Sequence, residues 1–562
     1  MNDLSRLMRR CPITRRDFLR TSAAATVIAS VATPARSASA PETVLDIGSE
    51  SQLLLDDWVA QRIDGLKRTL HQPTKQGLIK NADGSDWDLG SVYLGNIVCR
   101  DSSGRFHMTY RYSWWDASVR DLHPGIGEDK AHWFRETTAY ATSEDGVHWK
   151  KPRLGLVDGP AGFRKIDDFP FQEPVGMSRD NNLGCPLDFA YDLHAHGNLS
   201  ETQKRFLLRA VKMEDTHPFA KAVESRMYFA ADWPNFAEDP AWREKMTPVE
   251  GASLSPRGFR SLAGYDHQAS EWFAVSQDII GNWLKRGGRD IARYSTPDLV
   301  HWHGPQLALA VPADESRDPK DWIEYMDLCA YRVGGQRSGA WLGQLVVFHS
   351  DRGDPQYMMP TIRDVWRKGT TELRLVVSRD AGRSWQRVGG TEAWLPCHPD
   401  AHGFDRLVFA SHPVRVGDEA WFYYSAWDGD HLVFNRDGSL FEPRFLRTHR
   451  VGRATLRWNG YVSLDAGDST GILVTKLLRH AGTKLVVNLR APAGQLTTEL
   501  LDESGNPIRG FSARDATPLR GDGLELPVTW SGGSDLSTLR DKPLRVKFEL
   551  VGGSLFGFRY TA

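Results

Sequence analysis

Acidic residues stand next to several predicted strands, where a pair of carboxylates could do acid–base chemistry. Asp86 and Asp88 flank Trp87, just ahead of a strand that we predict from Val92. In such a pair one carboxylate activates water or attacks, and the other, when protonated, gives its proton to a leaving oxygen. The alternative is a turn-forming pair, because glycine and serine directly precede these aspartates.

Two further acidic segments supply candidate partners. Asp188 and Asp192 are four residues apart in a predicted strand, so they would share one of its faces. Asp188 could tune a neighbouring acid or orient a substrate, and a structural hydrogen bond is the alternative. Glu324 stands among tryptophan, tyrosine and methionine residues. Because aromatic surroundings keep a carboxyl group protonated near neutrality, we expect Glu324 to be the general acid.

The elements that carry these residues are predicted to be short strands. The chain has 20 Trp, 24 Phe and 15 Tyr together with 51 Gly and 30 Pro. This mixture favours many short strands joined by tight turns over long helices. Residues 93–100 and 105–110, joined by Asp-Ser-Ser-Gly, are one of several predicted hairpins. The sequence therefore predicts an all-β fold.

Size and charge limit the domain count and the partners. A chain of 562 residues exceeds what one hydrophobic core usually organises, so we expect two domains and a leader. Lys and Arg total 70, and Asp and Glu total 71. The chain therefore lacks the excess of basic residues that is typical of a nucleic-acid binder. No G-x-S-x-G, P-loop or dinucleotide fingerprint is present, and no cofactor is expected.

The N-terminal segment has the order of parts of an export signal. Arg15 and Arg16 are followed by Phe18 and Leu19, then by a short apolar run over 23–32 and by Ala-Ser-Ala at 38–40. The arginine pair before Phe-Leu resembles the twin-arginine signal, so residues 1–40 are predicted as a signal peptide. We expect a periplasmic or secreted protein without a membrane span in its mature form.

Three similar strand–turn units recur along the chain. They occupy residues 140–149, 293–302 and 376–385, and each runs from a strand through a Ser/Thr and Asp turn to a tryptophan. The Ser and Asp side chains are expected to bond the turn backbone while Trp packs the next strand, so these units are scaffold. Beyond Trp458 tryptophan becomes rare, which predicts a boundary between domains at 45–455 and 460–562.

The order of parts resembles exported bacterial glycoside hydrolases in which a five-bladed propeller precedes a β-sandwich. This is the superfamily of the family 43 arabinanases and xylosidases and the family 32 invertases. Residues 143–156 (SEDGVHWKKPRLGL), 452–464 and 508–511 carry most of the resemblance, and the third turn fits the Asp-box of sialidase-like propellers. The resemblance implies a five-bladed β-propeller followed by a C-terminal β-sandwich, with a carbohydrate substrate.

The resemblance also implies roles for particular residues. Acids on the innermost strands of such propellers point into the axial pocket, which makes Asp88, Asp188 and Glu324 the catalytic candidates. Aromatic rings stack on sugars and polar groups bond their hydroxyls. The substrate-binding candidates are Trp87, Arg111, Trp115, Asp192, His194, Asp266 and His431. Asp192 and His194 could also face a metal ion, but no third ligand is indicated, and no metal is expected.

Two other functions remain open from the sequence. A sialidase-like hydrolase would need an arginine triad for a substrate carboxylate, and no spacing identifies one. A non-catalytic carbohydrate-binding propeller would need aromatic and hydrogen-bonding groups at the axis without paired acids. Convergence of carboxylates at the axis would favour the glycosidase.

Overall fold

The computed structural model describes residues 43–87, 92, 98–115, 134–152, 187–192, 206–213, 222–230, 247–248, 261–278, 289–335, 339–352, 369–397, 410–426 and 450–562. Within these ranges the regular elements are β-strands and one short 3-10 turn at Ser537–Leu539. The prediction of an all-β chain is confirmed. The same ranges contain no helix long and apolar enough to cross a membrane.

Six short strands come first in the chain. They are β1 (Leu45–Gly48), β2 (Gln52–Leu53), β3 (Ala60–Asp64), β4 (Lys67–Leu70), β5 (Thr74–Leu78) and β6 (Lys80–Asn81). The first four do not pair with the sheets that follow them. They pair with strands from the C-terminal part of the chain instead.

Five antiparallel sheets of three to five strands follow, numbered here I to V. Sheet I has β7 (Val98–Arg100), β8 (Phe106–Trp115) and β9 (Phe134–Ser143), and β10 (His148–Trp149) pairs with β6; sheet II has β11 (Leu187–Asp192), β12 (Phe206–Met213), β13 (Ala222–Ala230) and β14 (Thr247–Pro248). Sheet III has β15 (Ser261–Asp266), β16 (Glu271–Asp278), β17 (Asp290–Thr296) and β18 (His303–Leu309). Sheet IV has β19 (Arg317–Asp318), β20 (Asp321–Val333), β21 (Ala340–Ser350), β22 (Gly369–Ser378) and β23 (Gln386–Val388); sheet V has β24 (Val414–Val416), β25 (Glu419–Ala426), β26 (Arg450–Arg457) and β5.

Neighbouring sheets pack face to face, in a propeller-like arrangement. Phe273 of sheet III meets Trp341 of sheet IV with ring centroids 5.2 Å apart. Sheets IV and V share a core that contains Leu375 and Phe422, and sheets V and I share one that contains Tyr423 and Phe106. Central strands are therefore covered on both faces, which explains why β21 is an almost continuous apolar run rather than an alternating one.

The three repeated turns have matching hydrogen bonds. Ser143, Thr296 and Ser378 each donate to an aspartate Oδ1 two residues on, at 3.0, 3.0 and 2.8 Å. That aspartate oxygen accepts backbone N–H groups further along each turn. A residue with positive φ follows each aspartate, Gly146, Leu299 and Ala381. The hydrogen bonds predicted for these turns are present, and they serve the scaffold.

A larger sheet forms the C-terminal sandwich. It contains β27 (Val462–Ala466), β28 (Gly471–Thr475), β30 (Lys484–Leu501), β31 (Leu519–Pro527), β32 (Arg545–Val551) and β33 (Gly553–Thr561), together with β2, β3 and β4; β29 (Leu478–His480) pairs with β1. The 18-residue β30 pairs with β33 along its first half and with β32 along its second. It thereby joins two layers around one apolar core.

The domain boundary that strand pairing indicates differs from the boundary that we predict from the sequence. The predicted boundaries assign residues 45–70 to the propeller, but β2, β3 and β4 pair with β33, β28 and β27. The sandwich is therefore built from both ends of the described chain. Leu54 and Val59 of this first segment lie in the core of the sandwich, whereas Leu53 and Leu55 lie in the core that sheets IV and V share. Neighbouring residues in the sequence do not indicate such long-range contacts.

Candidate functional site

Glu324 is a buried carboxylate near the start of the first long strand of sheet IV. It is the fourth residue of β20, and only 2% of it is exposed. Its strand neighbours Ile323 and Tyr325 are also buried and pack between sheets III and IV. Adjacent residues of a strand project to opposite faces, so Glu324 lies on the other side of β20 from that core.

Two guanidinium groups hold the Glu324 carboxylate. Arg352 Nη2 lies 2.6 Å from Glu324 Oε1, and Arg289 Nε lies 3.8 Å from Glu324 Oε2. Arg352 follows β21 and stacks over the ring of Trp322 at 4.3 Å. Arg289 precedes β17, and its carbonyl oxygen accepts a hydrogen bond from Tyr325 N at 3.1 Å. Two sheets thus contribute to one buried ion-pair cluster.

A histidine bridges two further carboxylates at the same end of sheet IV. His349 Nδ1 lies 2.7 Å from Asp321 Oδ1, and His349 Nε2 lies 3.3 Å from Glu372 Oε1. Burial lowers the pKa of His349, but the hydrogen bonds to Glu372 and Asp321 outweigh burial and the pKa lies above its ordinary value. Burial raises the pKa of Glu372, and His349 and Arg374 more than reverse that effect. The imidazolium form is therefore favoured.

Glu315 is a second buried glutamate with two arginine partners. Arg374 Nη1 lies 2.9 Å from its Oε1, and Arg387 Nη1 lies 3.1 Å from the same atom. The Tyr325 hydroxyl donates a hydrogen bond to Glu315 at 3.1 Å. Burial raises the pKa of Tyr325, and the neighbouring Glu315 carboxylate raises it further. Because Tyr325 and Glu324 are adjacent on β20, this cluster lies on the opposite face of the strand. The cluster is chemically similar to the one around Glu324, on the other face of β20.

The structure places Asp266 away from Glu324. β15 and β17 run in the same direction because both pair antiparallel with β16. The hydrogen bond from Tyr325 N to Arg289 O joins the start of β20 to the start of β17. We call this end of sheets III and IV, where β17 and β20 begin, the strand-start end. Asp266 is the last residue of β15, at the opposite end, where it binds Arg383 at 2.7 Å. The described contacts of Asp266 therefore do not support its predicted place in one pocket with Glu324.

The same contacts define the role of Asp266. It accepts the backbone N–H groups of Gln268 and Ala269 in the β15–β16 turn. Burial raises its pKa, but the hydrogen bond from Arg383 and these backbone bonds more than reverse this, and the pKa is lowered. Arg383 belongs to the third repeated turn, so the ion pair ties sheet III to sheet IV.

Trp87 is a core residue. Its exposure is 0%, its ring meets Tyr110 edge-on at 5.0 Å, and Lys151 Nζ lies 4.0 Å above it. The prediction that Trp87 stacks on a substrate is therefore wrong, since its faces are already covered. Asp86 is largely exposed and pairs with Lys80 at 2.5 Å. Its carboxylate is thus part of a surface ion pair.

The remaining predicted residues lie on strands or outside the described ranges. Asp188 and Asp192 are on β11, and the pairing of β11 with β12 shifts register between Leu187 and Phe189. The simple alternation that gave both aspartates one face is therefore interrupted at Asp188. Arg111 and Trp115 are on β8. Asp88, His194 and His431 lie outside the described residues.

The side chains that contact Glu324 are not the aromatic ones that the sequence predicted. The general-acid prediction rested on an aromatic environment, whereas the described partners of Glu324 are guanidinium groups. Arg289 was missed, because only the contact between sheets III and IV brings it to Glu324. The described part of the chain holds no cluster of three or more metal-ligating side chains.

Comparisons with known proteins give weak similarities only. No family model matches the chain, and no curated protein matches it. A solved structure titled "Glycoside hydrolase" is 12% identical with a TM-score of 0.38, over 69% of this chain and 92% of that one. An N-acetylgalactosamine deacetylase from F. plautii is 13% identical with a TM-score of 0.37, over 70% and 96%. A fructofuranosidase from Schwanniomyces occidentalis is 9% identical with a TM-score of 0.32, over 87% and 98%.

Proposed function

We propose that the chain is a glycosidase that hydrolyses O-glycosyl bonds of an oligo- or polysaccharide, and that sheets I to V are the five blades of its propeller. The observation that carries the proposal is Glu324, a carboxylate buried near the start of the first long strand of its sheet and held by two arginines. Asp188 is likewise the second residue of the first strand of sheet II. In a propeller, first strands surround the central channel, so these acids would face one pocket.

The proposed reaction divides its work among three carboxylates. One activates water or attacks the sugar, a second protonates the leaving oxygen, and the transition state carries positive charge on the sugar ring. Glu324 is held by guanidinium groups, which suits a fixed negative charge beside that ring better than proton donation. In our proposal Asp88 and Asp188 are therefore the acid–base pair, and Glu324 stabilises the developing positive charge.

The arginines of the site argue against a sialidase-like reaction. Such a reaction needs arginine side chains that are open to a substrate carboxylate. Arg289 and Arg352 are mostly buried and already bind the carboxylate of Glu324. A neutral glycoside fits this arrangement better than a sialic acid.

The test compares two glutamates with matched surroundings. Glu324→Gln and Glu315→Gln each keep the shape of a buried side chain that two arginines hold. Turnover of a panel of aryl glycosides and plant oligosaccharides is measured for both, with thermal unfolding to check folding. We expect Glu324→Gln to lower kcat by about 100-fold or more, the size of one electrostatic contribution to a transition state. Glu315→Gln should stay within a few-fold of the wild type.

Two outcomes would contradict the proposal. Folded Glu324→Gln with wild-type kcat would remove Glu324 from the reaction. A wild-type chain that binds the oligosaccharides and turns over none of them would be a non-catalytic carbohydrate-binding propeller. Asp88→Asn and Asp188→Asn, assayed on the same panel, test the acid–base pair independently.

We also propose that the protein is exported folded through a twin-arginine pathway. The support is the arginine pair before Phe18 and Leu19 and the apolar and small residues that follow. A fusion of residues 1–40 to a folded reporter should reach the periplasm. Changing both Arg15 and Arg16 to Lys should retain the reporter in the cytoplasm, and export of that variant would count against this route.

A further inference from the structure

A cavity of about 400 Å³ lies between the propeller-like sheets and the C-terminal sandwich. The last residues of β20 form one wall, with Tyr331 among them, and β33 forms another, with Phe558 and Arg559. Arg415 of β24 and Trp458, just after β26, complete the opening. Its volume is in the range of small-molecule sites, and a position between two domains is common for such sites.

This cavity is distinct from the candidate active site. Glu324 and Tyr331 are on the same strand, seven residues apart, which corresponds to roughly 23 Å at the rise of a β-strand. Glu324 is at the strand-start end, and Tyr331 is near the finish. A ligand of one or two sugar rings cannot contact both.

Hydrogen bonds between the two parts hold the cavity open in one shape. Ser51 N donates to Gly334 O at 2.8 Å, which ties the segment before β2 to the end of β20. Asn488 Nδ2 of β30 donates to Trp458 O at 3.1 Å, and Arg457 Nε donates to Asn488 Oδ1 at 2.6 Å. A ligand would therefore meet walls that are already ordered, which reduces the entropy cost of binding.

The floor and the rim of the cavity differ in chemistry. Tyr331 and Tyr461 are buried, and their hydroxyls are 3.4 Å apart. Trp458 is half-buried, and the Arg415 guanidinium lies 5.2 Å from the centre of its ring. Aromatic rings beside planar hydrogen-bonding groups are suited to sugar rings, which present apolar faces and hydroxyl edges.

The lining has a net positive charge. It contains three arginines, Arg332, Arg415 and Arg559, against one carboxylate, Glu525. Arg559 binds Glu525 at 2.8 Å, so these two charges offset each other. Arg415 is exposed and donates to the carbonyl of Gly417 at 3.2 Å. Its planar guanidinium has further donors, in a geometry that matches a carboxylate.

We propose that this cavity binds a small acidic carbohydrate, a sugar of one or two rings that carries a carboxylate, with Arg415 as the partner of the carboxylate and Trp458 beside the ring. The assignment rests on the lining of the cavity alone and goes beyond the proposed hydrolysis at Glu324. The site would let the protein hold an acidic sugar unit while a different part of a glycan occupies the axial pocket.

The test is calorimetric titration of the full chain with galacturonic and glucuronic acid, and with galactose and glucose as uncharged counterparts. We expect the acids to bind and the neutral sugars to bind at least about tenfold more weakly, a difference of ~1.4 kcal/mol. Arg415→Ala should weaken binding of the acids by about tenfold. Equal binding of acid and neutral sugars would overturn the charge assignment, and no binding of the acids would overturn the site.

Two controls separate this site from others. Arg453 also stacks on a surface tryptophan, at 4.1 Å from the ring centre of Trp421, but it does not line the cavity. Arg453→Ala should leave binding unchanged, and a loss equal to that of Arg415→Ala would overturn the role of Arg415. Glu324→Gln should lose turnover and keep acid binding. Loss of both in that variant would place the acidic sugar in the axial pocket and overturn the second site.

Discussion

Glu324 and Tyr331, toward the two ends of β20, are equally buried but have chemically different partners. At the strand-start end, Glu324 is surrounded by guanidinium groups from two sheets. Near the other end of β20, the Tyr331 hydroxyl donates to the Tyr461 hydroxyl and accepts from Gln344, and both partners are neutral. The burial pattern of the strand is nearly uniform. The elements that pack against β20 are different at its two ends. The chemistry of each end is therefore determined by the sheets that contact β20 there.

The largest effect should come from removing the carboxylate at the charged end. Glu324→Ala removes the carboxylate that Arg289 and Arg352 bind, and we expect a loss of about 3–5 kcal/mol in the free energy of unfolding. Urea unfolding measures it. Adding Arg352→Met to this variant should recover part of the loss, because one uncompensated charge is then removed. A loss below about 1 kcal/mol for Glu324→Ala would mean that water reaches the cluster.

A smaller effect is expected at the neutral end. Tyr331→Phe removes a hydroxyl that accepts a hydrogen bond from Gln344 at 3.3 Å, and we expect a loss of about 1 kcal/mol. Tyr560 gives a matched control, since its buried hydroxyl has no hydrogen-bond partner among the described residues. Tyr560→Phe should leave the free energy of unfolding unchanged or slightly raised. Equal losses for the two variants would show that the Tyr331 hydroxyl is not used.

The smallest effect should be a pH dependence at the charged end. The folded pKa of His349 is above its ordinary value of 6.5, so its charged contacts stabilise the fold fully below that value. The stabilisation is lost as pH rises through the raised folded pKa. The difference in free energy of unfolding between the wild type and His349→Gln should therefore shrink from pH 6 upward, by up to about 1 kcal/mol.

His480 provides the opposite sign for comparison. Burial lowers the pKa of His480 below 6.5, although the Gly482 carbonyl partly opposes this. The unfolded chain then binds the proton more readily, so the contribution of His480 to stability is present above 6.5 and is lost as pH falls through the lowered folded pKa. Urea unfolding of His480→Gln from pH 5 to 8 should show a shallower acid decline than the wild type. The same slope for both histidine variants would contradict the assigned directions.

Local sequence was a good guide where partners are close in the chain. The turns at Asp145, Asp298 and Asp380 could be predicted because each aspartate bonds groups within four residues of itself. Short strands and a β-rich C-terminal domain followed from composition and from periodicity in the same way. Such contacts need no knowledge of the rest of the fold.

Contacts between sheets could not be predicted from the sequence. Nothing near Arg289 indicates that it reaches Glu324, because the contact depends on the packing of sheet III against sheet IV. Asp266 and Trp87 have the residue types of a binding site, yet an inter-sheet ion pair and a core contact use them. Tyr325 is next to Glu324 in the sequence but lies on the other side of β20, since adjacent strand residues project to opposite faces.

The pairing of β5 with β26 affects the order in which the chain can fold during synthesis. Gln76 forms a hydrogen bond with Thr455, 379 positions further along the chain. The early strands β2 to β4 pair with strands that lie beyond residue 461. Contacts of such long range make folding slow, because the loop must close before the contact stabilises anything. The ribosome must therefore deliver nearly the whole polypeptide before sheet V and the sandwich are complete. Deletion of β2 to β5 would open both, and deletion of β33 would open the sandwich alone.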